Sequence, residues 1–193
     1  MSRPARRSGS TAGTPSAGAP DAGAPARGAG TAVLAPENPD RVIVAEAIRW
    51  SLTDVPVHAN PVAESMRMIL VSAERGRVRL RFDIDQRFTQ GDGVIQGGIV
   101  TAMLDFGMAF AGLSVVDEGE SVATVGINVN FLRVSAPGRF EVEARLEKVG
   151  KRMVFARADL MREDGEPVAS ASAPLTILKR RADPTDGLSP ART

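Results

Sequence analysis

The hydrophobic pattern switches between two periods along the chain. Val78, Leu80, Phe82 and Ile84 alternate with Arg77, Arg79, Arg81, Asp83 and Asp85, the two-residue period of a strand with one buried face. A strand over residues 67–74 precedes it and pairs with it through Arg75-Gly76. Four more alternating segments, 121–134, 139–149, 152–162 and 167–178, are punctuated by Ala136-Pro137-Gly138, Gly150 and Glu163-Asp164-Gly165. Short turns between long strands predict an antiparallel meander. Between the two groups of strands, residues 97–111 are apolar almost all the way round, which predicts a helix buried on every side. A single helix can be so only if a sheet wraps around it.

Ahead of the strands, Asn38-Pro39-Asp40 offers helix-start chemistry, with Asp40 as the expected N-cap of a short amphipathic helix running to about Trp50. Asn60-Pro61 breaks the chain again, and a short turn leads toward Met66. Residues 1–38 are rich in Ala, Gly, Pro, Ser and Thr, with almost no large apolar residue before Val33. Such a composition does not repay the entropy of ordering, so a disordered tail is expected there. Arg3, Arg6, Arg7 and Arg27 leave a transit-peptide reading beside the plain extension; the lack of an apolar stretch argues against a secretory signal. The folded domain is expected over 39–179, and 180–193, again rich in Pro, Gly and charge, as a flexible C-terminal tail.

Composition narrows the chemistry. With 24 Lys+Arg against 23 Asp+Glu, no global field favours nucleic acid as a partner. The absence of cysteine excludes a disulfide framework, a thiolate nucleophile and cysteine zinc sites, and fits a reducing, cytoplasmic setting. One histidine, His58, excludes paired-histidine metal ligation and leaves a Ser-His-Asp triad nothing else to be built on. No apolar run approaches the ~20 residues of a membrane helix, so no membrane partner is expected.

Within the apolar helix one residue is out of place. Asp105 is a carboxylate in a segment that otherwise excludes charge, a costly position unless the group is paired or faces a functional cavity. Gly97 and Gly98 open the same helix, where free backbone N–H groups make a seat for negative charge. A carboxylate two turns from such a helix start suggests hydrolytic or acyl-transfer chemistry. The alternative is a buried Asp that cross-links another element.

The run Gly93-Val94-Ile95-Gln96-Gly97-Gly98-Ile99-Val100-Thr101-Ala102-Met103-Leu104-Asp105 and the later Thr124-Val125-Gly126-Ile127-Asn128-Val129-Asn130-Phe131-Leu132-Arg133 resemble the PaaI-like acyl-CoA thioesterases of the 4-hydroxybenzoyl-CoA thioesterase superfamily. Pro137-Gly138 and Gly150-Lys151-Arg152 also fall in family places, and the likeness extends over residues 62 to 178. It implies an α+β hotdog fold, a long central helix wrapped by an antiparallel sheet of about six strands. It implies hydrolysis of a small or medium acyl-CoA without a cofactor or metal, by a homodimer or homotetramer whose active sites lie at the dimer interface. Asp105 would act as general base or nucleophile, the Gly98 amide as oxyanion donor beside Gly97, and Thr124 would help orient the attacking water. Gln96 stands where the family commonly has His, and Gln90 where it commonly has Asn.

Each of these residues also has a plainer reading. Gln90 and Gln96 serve equally well as turn residues, and Thr124 as an ordinary strand threonine. Arg133, Lys151 and Arg152 have the charge to meet coenzyme A phosphates, against a default of solvated side chains. Asn128 and Asn130 share parity with Thr124, and solvent is their expected environment. Met103, Phe106, Met108 and Phe110 read as core. At the level of function, an acyl-CoA-binding module without efficient catalysis stands as the alternative, motivated by the two glutamines. A dehydratase is weaker, because its usual site histidine would have to be His58.

Overall fold

The computed structural model describes residues 37–179. The expected tails lie outside the described residues apart from Glu37 and Asn38. The elements run α1 (Pro39–Trp50), β1 (Val55–Pro56), α2 (Pro61–Ser65), β2 (Ile69–Glu74), β3 (Arg77–Ile84), α3 (Gly97–Leu113), β4 (Glu120–Thr124), β5 (Asn128–Phe131), β6 (Gly138–Val149), β7 (Met153–Arg162) and β8 (Pro167–Lys179).

Asn38 is the N-cap of α1: its Oδ1 accepts the Asp40 N–H at 3.0 Å, and Pro39 follows at the helix position where a missing N–H costs nothing. Asp40, expected as the cap, sits inside the first turn and turns its carboxylate to Asn60. The difference is one of phase: Pro39 belongs inside the helix, so the cap must precede it. Glu37 is held as well. Its carboxylate accepts Arg41 Nε at 2.7 Å and the Gly119 N–H at 3.2 Å, tying α1 to the turn before β4.

The Arg41 guanidinium holds the Glu37 carboxyl below its ordinary value against the opposing effect of burial, with the Gly119 N–H adding a lesser pull in the same direction as Arg41. A depressed folded pKa stabilises above the ordinary carboxylate range and loses that contribution as the pH falls through the lowered value. Because the pair is partly exposed, the effect is small. Replacing Glu37 by Gln is expected to lower the melting temperature by about 2 °C near neutrality and not at all in strong acid; equal melting curves at both would remove this contact from the stability of α1.

Eight strands form one sheet in the order β1-β2-β3-β6-β7-β8-β4, with β5 also on β8, and every pair is antiparallel. Alternation decides its inner face: Val78, Leu80 and Phe82 of β3, Val142 and Ala144 of β6, Val154 and Leu160 of β7, and Leu175 of β8 are buried. The outer face carries ion pairs such as Arg79–Glu141 and Arg145–Asp159. Helix α3 lies on the inner face, and at Gly107 it comes so close that a Cβ would overlap the Val142 side chain. This hotdog architecture has two strands more than the pattern of periods suggests. Val55–Pro56 is too short to show a period, and the segment 121–134 is divided.

The division has a physical cause. Thr124 pairs with Leu175 and Asn128 with Ser172, so three residues on one strand oppose two on the other, a bulge. Pro174 lies in the gap; its carbonyl accepts the Val125 N–H, and it has no N–H to return. The extra residue reverses the facing. Thr124, paired with buried Leu175, turns toward α3, whereas Asn128 and Asn130, paired with Ser172 and Ser170, turn outward and are exposed. Shared sequence parity therefore does not mean a shared face here.

Helix α3 departs from the expectation of burial on every side. Met103, Leu104, Met108 and Phe110 are buried in the core as expected, but Ile99, Ala102, Asp105, Phe106 and Ala109 form a half-buried stripe that meets the sheet only at its borders, Phe106 against Phe82 and Asp105 against Thr124. The sheet covers one side of the helix and leaves the other partly open.

Candidate active site

Asp105 belongs to that open stripe. Thr124, aimed at the helix by the register of β4 against β8, donates its hydroxyl to Asp105 Oδ1 at 2.7 Å. One carboxylate oxygen is thus fixed and the other is left for a ligand or water. Beside it lies a cleft of about 350 Å³. Ala102, Phe106 and Ala109 of α3 and Val122 of β4 make its apolar sides, and Asn38, Asp40 and Asn60, at the starts of α1 and α2, line it with polar groups. A half-buried carboxylate with one oriented oxygen, lining a mostly apolar space, can take a proton from a bound water or attack an activated carbonyl.

The helix start is built differently from expectation. Gln96 is the N-cap, and its side-chain Oε1 accepts the Gly98 N–H at 2.6 Å. The Gly98 amide, expected to be the oxyanion donor, is therefore already engaged. A glutamine in place of the expected histidine is long and flexible enough to fold back on its own helix, and the sequence did not reveal that it does so. The Ile99 and Val100 N–H groups go to the Gln96 carbonyl. Among the described residues the Gly97 N–H has no partner. It lies beside the Phe131 ring, which would stand 3.6 Å from a Cβ at this position, at ordinary contact.

Gln90 fills the turn role. Its N–H reaches the Val94 carbonyl and its own carbonyl accepts the Gly93 N–H, each at 2.9 Å, closing a tight loop in which Gly93 adopts a left-handed φ of 76°. Its side chain is exposed, with no hydrogen bond among the described residues.

These residues fall into two sets. Gly97 and Asp105 are eight residues apart on one helix, hence about 12 Å along its axis, though on the same face. The strand edge tells the same story. Phe131, beside Gly97, pairs with Ala169, whereas Thr124, beside Asp105, pairs with Leu175, about 20 Å along β8. Arg133 follows β5 at the helix-start end and pairs with Glu166. Lys151 and Arg152 are exposed in the β6–β7 turn. The neighbouring Met153 pairs with Thr176, which pairs with Ala123, so this turn is two strand spacings, about 10 Å, from the Asp105 end. Among the described residues neither Lys151 nor Arg152 has an ion-pair partner.

The cleft's polar end is the part that the sequence did not reveal. Asn38, Asp40 and Asn60 read as helix-start residues, and the two Asn-Pro pairs were the available signal; what they share is a place over α3, which depends on packing of distant segments. His58 stands apart, its Nδ1 3.2 Å from Glu64 on the surface. Among the described residues no three His, Cys, Asp or Glu side chains converge as metal ligands, and no helix is long and apolar enough to cross a membrane.

Comparison with known proteins bears on the same region. Residues 92–169, from the loop before α3 into β8, match the Thioesterase superfamily. A thioesterase family protein from Silicibacter pomeroyi has a solved structure that is 31% identical, with a TM-score of 0.61 over 70% of this chain and 98% of that one. A Saccharolobus solfataricus protein whose name suggests an esterase is 31% identical over 100 residues, which span 52% of this chain and 65% of that relative, just under two thirds of its length. The PaaI protein of the phenylacetic acid degradation operon of E. coli, at 16% identity and a TM-score of 0.59 over 74% of this chain and 94% of that one, shares the fold. A nearly complete match to a solved thioesterase family structure, on the elements that carry Asp105 and Thr124, places this chain in the thioesterase superfamily of hotdog-fold proteins.

Proposed function

We propose that the protein hydrolyses a small or medium acyl-CoA to the free acid and coenzyme A, at a site made by two copies of the chain. The observation that carries this reading is Asp105, with Thr124 on one of its oxygens at 2.7 Å and an apolar cleft beside it. Asp105 takes the proton of a water that attacks the thioester carbonyl, and the new oxyanion is received by a backbone N–H. The tetrahedral adduct then expels the thiolate, which takes up the proton held by Asp105. Attack by the carboxylate itself, giving an anhydride that water opens, is the covalent variant of the same geometry.

One carbonyl cannot touch both Asp105 and the Gly97 N–H of a single chain, because each must lie within about 3 Å of the reacting atoms. A second copy resolves this. The unpaired side of β4 and β5 and the open stripe of α3 are flanked by exposed Val125, Ile127, Phe131, Leu132 and Val134, an apolar edge of the kind that marks an interface. Two α3 helices crossing antiparallel about Thr101 would bring each Asp105 to the other's Gly97. In this reading the Gly97 amide, free among the described residues, takes the role that the engaged Gly98 amide cannot. Lys151 and Arg152 supply cations for the phosphates of coenzyme A.

Free-thiol release from a panel of acyl-CoA esters of graded length tests the reading. Turnover above the uncatalysed rate with at least one ester is expected. Tight binding with no turnover throughout would replace it with a binding module.

A further inference from the structure

Asp40 Oδ1 is shielded from solvent and has no hydrogen-bond partner among the described residues. Its surroundings are otherwise well satisfied. Asp40 Oδ2 accepts Asn60 Nδ2 at 2.8 Å, and Asn60 Oδ1 in turn caps α2 through the Val62 and Ala63 N–H groups. Asn38 caps α1 with its oxygen and donates Nδ2 to Ser121 Oγ at 2.8 Å. The α2 cap thus holds one Asp40 carboxylate oxygen and the α1 cap holds the Asp40 backbone N–H, while the other carboxylate oxygen goes unused. Buried polar atoms nearly always find a partner, and one that does not calls for a reason.

The cleft supplies the reason. Asp40 and Asn60 line the same space as Asp105, and the sides between them are apolar. The polar end is set off from Asp105 along β4: Ser121, bonded to Asn38 at the start of α1, and Thr124, bonded to Asp105, are three residues apart, about 10 Å along a strand. The final torsion of an aspartate is soft, so a small rotation turns Oδ1 into the open cleft without losing α1.

We infer that Asp40 is a specificity residue that accepts a hydrogen bond from a hydroxyl or amine on the acyl group, at the end far from the thioester. This rests on the reading of Asp105 as the reacting end of the cleft. The apolar sides hold the body of the acyl group, Asn60 keeps the carboxylate aimed, and an acyl group without a donor leaves Oδ1 unpaired. A site built to receive a donor discriminates against the analogue that lacks it far more strongly than an apolar pocket discriminates by size.

The test compares coenzyme A esters of matched length whose acyl chains end in a hydroxyl, a methyl or a methoxy group, on the native chain and on Asp40→Ala and Asp40→Asn. In the native protein kcat/KM for the hydroxylated ester is expected to exceed that for the methyl ester at least about tenfold. Asp40→Ala brings that ratio close to one, chiefly through slower turnover of the hydroxylated ester, and circular dichroism with thermal melting shows that the variant folds. In Asp40→Asn the Asn60 amide still requires an oxygen opposite it, so an N–H now faces the cleft and the methoxy ester gains relative to the native protein. A native ratio near one, or an Asp40→Ala variant that slows both esters equally, overturns the assignment. If no ester is hydrolysed, the catalytic reading fails separately. Affinities for the matching non-hydrolysable thioethers then decide: tighter binding of the hydroxylated analogue, lost in Asp40→Ala, supports the role of Asp40, and equal binding overturns it.

Discussion

Replacing Asp105 by Asn is expected to lower kcat by about 10²- to 10⁴-fold, the span that a positioned general base contributes, while the protein keeps or raises its melting temperature. The substitution is chosen for what it preserves. Asn has the shape of Asp, and its Oδ1 can still accept the Thr124 hydroxyl, now 2.7 Å from the carboxylate. What it loses is basicity and nucleophilicity together. Asp105 lies on a stripe otherwise made of Ile99, Ala102, Phe106 and Ala109, where a neutral amide is easier to accommodate than a charge, so stability and activity should move in opposite directions. Steady-state thiol release together with thermal melting gives both readouts. Native turnover in the variant would take Asp105 out of the chemistry. A fall in activity matched by a collapse in melting temperature would make it a structural cross-link to β4. Single turnover in ¹⁸O-labelled water separates the two chemical routes, because only the covalent one leaves label in the Asp105 carboxylate.

What the sequence reveals about this fold and what it hides divide along physical lines. The long strands and the central helix follow from local periods, and these survive because each sheet face has a single environment: Val78, Leu80 and Phe82 are all buried in the core, and Arg79 and Arg81 both meet water or a counter-charge. The break after Thr124 escapes a local reading because its cause, Pro174, is on the neighbouring strand. The open stripe of α3 escapes for a related reason. An apolar helix looks the same in sequence whether its second side is meant for its own sheet or for another chain. Asp105 is visible because a charge in an apolar run is conspicuous. Asp40 and Asn60 are not, because their residue types are those of any helix start and their meaning lies in a shared position over a helix some fifty residues away. Gln96 marks the limit of reading by likeness. Its position suggested a polar group for the substrate, but its side chain spends its oxygen on the Gly98 N–H.

Gly97→Pro should be the most informative change at the other end of the helix, with an expected loss of about 10²- to 10³-fold in kcat and little loss of stability. The Gly97 N–H is a backbone group, so no side-chain substitution removes it, but proline does. The position tolerates proline on three counts. Gly97 is the first residue of α3, where proline is favoured; Gln96 before it already has the extended ψ of 135° that a following proline demands; and the nearest neighbour, the Phe131 ring, is at ordinary contact distance. Loss of one preorganised oxyanion donor costs about 10²- to 10³-fold, whereas a merely structural amide at a helix start would cost nothing. The same variant decides whether the site is shared. Co-expressing Gly97→Pro and Asp105→Asn with different tags and purifying the mixed dimer places both defects in one site and leaves the other intact if each site draws Asp105 from one chain and Gly97 from its partner. About half of native activity per dimer then returns from two inactive parents. If each chain carried its own complete site, every site in the mixed dimer would hold one defect and activity would stay at the level of the parents. The spacing of about 12 Å between the two residues along α3 leaves a shared site as the arrangement in which one thioester meets both.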